Sequence, residues 1–83
     1  MNQAPRTLRY AEVVHVIKPF RLIDAESYEH VYWRRDGVAL APGYYVVSWP
    51  RRTRDHRFNE NAAFRGPFRE RAQARAQLEQ LSA

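Results

Sequence analysis

The sequence predicts an α+β fold: a small antiparallel sheet of three to five strands packed by one C-terminal helix. Three observations carry this. Runs of β-branched and aromatic residues recur between Gly and Pro turn signals from Leu8 to Trp49. From Arg69 to Leu81 the chain contains only Ala, Gln, Glu, Leu and Arg, a composition of high helix propensity. At 83 residues there is room for one domain, spanning 1–83, whose folding buries only about 60% of the surface of the unfolded chain.

The elements follow in order. Residues 1–6 form a flexible tail by composition. Leu8 to Ile17 reads as a strand with apolar residues on both faces, which points to a central place in the sheet. Pro19 ends it, and Phe20 to Ile23 resumes an extended path before the polar break Asp24-Ala25-Glu26-Ser27. Glu29 to Arg35 is the next expected strand, with Val31 and Trp33 on one face and His30, Tyr32 and Arg34 on the other. Asp36-Gly37 is a hairpin signal, because Gly reaches positive φ without strain, and Val38 to Ala41 is expected to pair back. Pro42-Gly43 turns the chain into Tyr44–Trp49, the clearest strand, which Pro50 stops. Residues 51–61 are a polar connection, and Ala62–Arg65 adds a short final strand.

The closing helix is expected over 67–81. Pro67 suits its first turn, where a backbone N–H has no intrahelical partner. Ala74, Leu78 and Leu81 share the face turned to the sheet, and Phe68, Ala72 and Ala76 form a flanking stripe. The sequence has no internal repeat and no low-complexity segment.

Composition narrows the function. The chain has no cysteine, which excludes a disulfide framework, a thiolate metal site and thiol catalysis and fits a reducing compartment. Its N-terminal residues lack the apolar core of a signal peptide, and no apolar run approaches the ~20 residues of a membrane span. A soluble, cytoplasmic protein is expected. Net charge is +5, and 13 of the 14 basic residues are Arg. Residues 1–48 hold six basic and five acidic groups, whereas 49–83 hold eight and four. An anionic partner would therefore dock on the C-terminal part. Codon usage rich in Arg and Ala is the plain alternative.

One segment carries a family resemblance. Gly66-Pro67-Phe68 followed by Arg71, Ala74, Leu78 and Leu81 resembles the strand-GPF-helix unit of SPOR domains, small peptidoglycan-binding domains. The resemblance spans residues 62–81 and implies a helix whose Ala and Leu pack on a sheet. Those domains continue into a further strand and act in the periplasm, whereas this chain stops two residues after Leu81. The resemblance therefore informs local structure only, and peptidoglycan binding is not carried over.

No catalytic constellation is recognisable, and no enzyme, cofactor or metal is expected. His15, His30 and His56 are far apart in sequence, Asp24, Glu26 and Glu29 lie in a turn, and Ser27 and Ser48 lack the context of a nucleophile. Two surfaces are candidates for binding. Arg51, Arg52, Arg54 and Arg57, with Trp49 beside them, suit phosphate contacts with base stacking, the plain alternative being a solvated loop. The aromatic pairs Tyr32-Trp33 and Tyr44-Tyr45 must send one ring to each face of their strands. A single helix covers one face, so rings on the other would form an interface with a protein partner or a second copy, unless loops cover them. The first functional reading is a non-enzymatic protein-interaction module, and the alternative is nucleic-acid or polyanion binding through 51–57.

Overall fold

The computed structural model describes residues 10–50 and 56–82. Strands β1 (Tyr10–Lys18), β2 (Arg21–Ile23), β3 (Glu29–Val31), β4 (Gly43–Trp49) and β5 (Ala63–Phe68) precede helix α1 (Arg71–Ser82). The strands form one antiparallel sheet in the spatial order β3-β2-β1-β4-β5. The protein is thus a small α+β domain with a five-stranded sheet and one C-terminal helix.

β1 and β4 occupy the middle of the sheet, in register from Tyr10 opposite Trp49 to Val16 opposite Gly43. Their apolar residues on both faces have a direct cause, since both faces are covered. On one face, Val13 and Val46 pack with Ala74 of α1, flanked by Ala11, Tyr44, Phe68, Leu78 and Leu81. Ala74 is fully buried, and its small side chain lets the helix approach the sheet closely. The helix packs against β1, β4 and β5, leaving β2 and β3 outside its reach.

The opposite face holds the larger core. Val14, Val16, Leu22, Tyr45, Val47 and Trp49 rise from the sheet. Tyr32 and Phe58 descend on them, with Phe20, Leu40, Ala62 and Phe64 around the edge. The cover here comes largely from irregular chain rather than from a second helix, so this face is not the open aromatic surface that one helix alone would leave.

The strand expected over Glu29–Arg35 ends at Val31. Tyr32 still donates its N–H to Phe20 O at 3.0 Å, but its hydroxyl accepts from the part-buried Leu40 N–H at 2.7 Å. Reaching that partner draws the chain across the sheet face instead of along it. Gly37, at φ 71, makes the expected turn, with its N–H on Arg34 O at 3.0 Å. Asp36 then binds the Val38 N–H at 3.0 Å, a local side-chain turn, and no strand returns through Val38–Ala41.

The helix begins at Arg71 rather than Pro67. Gly66, Pro67 and Phe68 continue β5, with Phe68 opposite Tyr44 and a cis Gly66–Pro67 peptide bond. Glu70 precedes the first turn, and Gln73 Oε1 reaches back to accept the Glu70 N–H at 3.1 Å. That is the returning half of a capping box. Phe68 therefore belongs to the sheet, while Ala72 and Ala76 are exposed rather than forming an inner stripe.

Candidate functional site

Trp33 is 63% exposed on a backbone held by hydrogen bonds, and Tyr28, at 65%, is a second broadly exposed aromatic. The side chains of an extended segment alternate, so with Tyr32 buried its neighbour must point away from the core. The Trp33 N–H donates to Phe58 O at 2.8 Å, which ties the segment around residue 58 to the outer side of the chain just beyond β3. Two shallow clefts flank the indole. The first, of roughly 460 Å³, is lined by Trp33, Arg34, Arg35, Asp36 and Glu60 among others. The second, of roughly 420 Å³, is lined by His30, Val31, Trp33, His56, Arg57 and Asn59 over Phe58.

The two clefts differ electrostatically. In the first, Arg34 is paired with Asp36 at 3.3 Å and Glu60 adds a further carboxylate. In the second, no carboxylate lines the wall among the described residues. Arg57 lines that cleft too, and it is already engaged in an interaction of its own. Asn59 Oδ1 accepts the Asn61 N–H at 2.9 Å, which leaves its amide NH₂ as the donor end.

The residues predicted from sequence separate on the structure. Arg51, Arg52 and Arg54 lie outside the described residues. Arg57 is exposed and lies beside Trp33 in the second cleft. Trp49 cannot act as a stacking platform: it is 1% exposed, its indole N–H donates to Arg57 O at 2.6 Å, and its ring packs on Tyr10, His56 and Phe58. Tyr32 and Tyr45 are likewise core residues rather than interface residues. Tyr32 is fully buried, and the Tyr45 hydroxyl donates to Ala41 O at 2.8 Å in surroundings that push its pKa up by burial. Tyr44 is half-buried, stacked on His15 at 4.3 Å and covered by the Arg71 guanidinium 5.1 Å from its ring centroid. Of the four aromatics proposed as an interface, Trp33 alone presents its ring broadly to solvent. Sequence reasoning missed Arg34, Arg35, His56 and Asn59 as its surroundings. The adjacency of Trp33 to Arg34-Arg35 was the available signal.

A second constellation sits at the Tyr10 end of β1. Tyr10 and His56 stack with centroids 4.2 Å apart and planes 2° from parallel. Asp24 organises the nearby turn: Oδ1 accepts the N–H groups of Glu26 and Tyr28, each at 2.9 Å, and Oδ2 lies 2.6 Å from His30 Nε2. Partial burial pushes the Asp24 pKa up, but these hydrogen bonds outweigh it and hold the carboxyl below its usual range. Glu12 behaves oppositely, raised by burial and by the charges of Asp24 and Glu26 despite accepting the Ala25 N–H at 3.2 Å. Tyr10 is also raised, by burial first and then by Glu12, Glu26 and Asp24. These groups satisfy one another. No group of three or more His, Asp or Glu is set to hold a metal ion among the described residues, and no described helix is long and apolar enough to cross a membrane. Comparison of the chain with protein-family models, with curated proteins and with solved structures finds no match.

Proposed function

We propose that this protein is a non-enzymatic interaction module whose contact surface is centred on Trp33. The observation that carries the reading is an indole 63% exposed on a backbone held by the bonds from Tyr32 to Phe20 and from Trp33 to Phe58. An aromatic side chain can bury about 150–250 Å² when packed, and a rigid one loses little entropy on binding. Rigid exposed Trp is the residue type that most often dominates a binding surface. The absence of cysteine supports a reducing, cytoplasmic setting.

A photo-crosslinking amino acid in place of Val31, on the wall of the second cleft, tests this in extracts of the native cell. Adducts should form with Trp33 intact and disappear in the Trp33→Ala background. The same probe at Gln80, on the exposed side of the helix, should give no Trp33-dependent adduct. Adducts at Val31 that are unchanged by Trp33→Ala would overturn the reading.

A second reading, binding of a polyanion by the arginine segment, is favoured by one specific observation. Arg57, the last arginine of that segment, lines the cleft beside Trp33.

A further inference from the structure

We infer that the partner of the Trp33 surface is a second copy of this chain, related by a twofold axis so that Arg35 of each copy meets Glu60 of the other beside the two Trp33 side chains. The inference rests on the reading of Trp33 as the contact residue and adds the identity of what it contacts.

The surface that suits a second copy is the first cleft. Its volume of roughly 460 Å³ lies within the range of about 300–1,000 Å³ that concave binding sites occupy. Its floor is apolar and already set. Ala62, Ala63 and Phe64 line it, and the Phe64 ring packs on Tyr32 and Tyr45 with centroids 5.7 and 6.2 Å away. Trp33 stands at its side on a backbone held by the bond to Phe58 O. An entering side chain therefore meets aromatic surface that needs no prior ordering of the main chain.

The charges decide the occupant. Arg34 and Asp36 are paired with each other at 3.3 Å. Arg35 and Glu60 are both exposed, line the same cleft, and make no ion pair among the described residues. A twofold contact applies one surface to itself, so that residue i meets j and j meets i. A wall holding one unpaired cation and one unpaired anion is therefore complementary to its own copy, and the dimer gains two ion pairs. A partner of single-sign charge would satisfy one of these groups and be repelled by the other.

Two copies at +5 repel at long range, which the reciprocal pairs and the burial of two indoles offset. A Trp buries about 150–250 Å², whereas an interface of standard size takes about 800 Å² from each partner. A small, reversible dimer is expected, one that forms on concentration and separates on dilution.

Sedimentation velocity of the purified full chain across a dilution series tests this. Wild type should pass from monomer to dimer as concentration rises and go no further, because a twofold contact is closed. Trp33→Ala should weaken dimerisation about thirtyfold or more, since each dimer loses two central aromatics. Arg35→Glu and Glu60→Arg should each weaken it about tenfold or more by setting like charges face to face. The double variant carrying both changes should return to within about threefold of wild type, because the pairs re-form with their signs exchanged. Circular dichroism confirms that each variant is folded. In the crosslinking experiment the Val31 adduct should have twice the mass of the chain.

Dimerisation unchanged by Trp33→Ala, or a double variant no tighter than the single ones, would overturn the inference. A wild type still monomeric at about 1 mM, together with a Trp33-dependent adduct between Val31 and a different protein, would overturn the second copy and leave Trp33 as the contact residue. A monomer with no such adduct would overturn the two readings together.

Discussion

The indole N–H of Trp49 donates to the carbonyl oxygen of Arg57 at 2.6 Å. Two residues that sequence reasoning assigned to one anion-binding surface are thus joined, but through the core and a main-chain carbonyl. Trp49 is the post on which the end of the 51–57 segment hangs. Trp49→Ala should cost about 3–5 kcal/mol, the usual loss for a large buried aromatic, and it also leaves the Arg57 carbonyl without that partner. Trp33→Ala should stay within about 0.5 kcal/mol. Urea unfolding of the two variants side by side checks the contrast. Acrylamide quenching should find Trp33 accessible and Trp49 protected.

Gly66 lies where β4 and β5 approach too closely for a side chain. A Cβ there would sit 2.7 Å from Tyr44 O and 3.0 Å from the Tyr45 ring, at a φ of +149° that L-residues rarely adopt. Gly66→Ala should therefore cost more than about 1 kcal/mol. Gly37→Ala is the control: φ is +71° there too, but nothing lies within 4 Å of the added carbon. Thermal melts should show a larger fall for Gly66→Ala than for Gly37→Ala.

The Asp24 turn predicts how stability responds to acid. Its folded pKa lies below the ordinary 3.8, so its contribution is present above that value and is lost as pH falls below it. Asp24→Ala should be destabilising by about 1.5–3 kcal/mol near neutral pH, and the deficit should shrink in strong acid. Glu12 has the reverse sign. Its folded pKa lies above 4.5, so its contribution is present below 4.5 and disappears as pH rises through the folded value. Glu12→Gln, which can still accept the Ala25 N–H, should gain stability relative to wild type as pH rises from acid to neutral. Urea midpoints measured across that range decide both.

Ala74 sets the distance between helix and sheet. It is fully buried against Val13 and Val46, so Ala74→Leu should overpack the contact at a cost of about 1–3 kcal/mol. Ala76→Leu, on the exposed side of the same helix, should change stability by no more than about 0.5 kcal/mol. Chemical denaturation of the pair separates packing from helix propensity.

The elements most legible in the sequence were those whose signal is local. Tyr44–Trp49 is strand-forming residue by residue, and the Ala74, Leu78, Leu81 spacing fixed the inner face of the helix. What escaped depends on partners distant in sequence. Tyr32 leaves the sheet because the Leu40 N–H and the underside of the core receive it, and no pattern in 29–35 records that. Pro67 fits a first helical turn or an edge strand equally well by its own chemistry, and only pairing with β4 decides between them. Trp49 and Trp33 look alike as letters. One is core and one is surface because the segment at 56–58 packs over the first ring and bonds only the backbone of the second.

The outermost strand on one side of the sheet ends in Arg65-Gly66-Pro67-Phe68. Pro67 has no N–H to offer an approaching strand, and exposed Arg65 places a charge in its path. Beyond the far margin, the bond from Trp33 to Phe58 has already taken a donor that another chain would need. The ladder is therefore hindered from lengthening at its β5 edge, and just beyond β3 the chain is already tied to the segment around residue 58. A concentrated solution of the protein should resist fibre growth through the β5 edge.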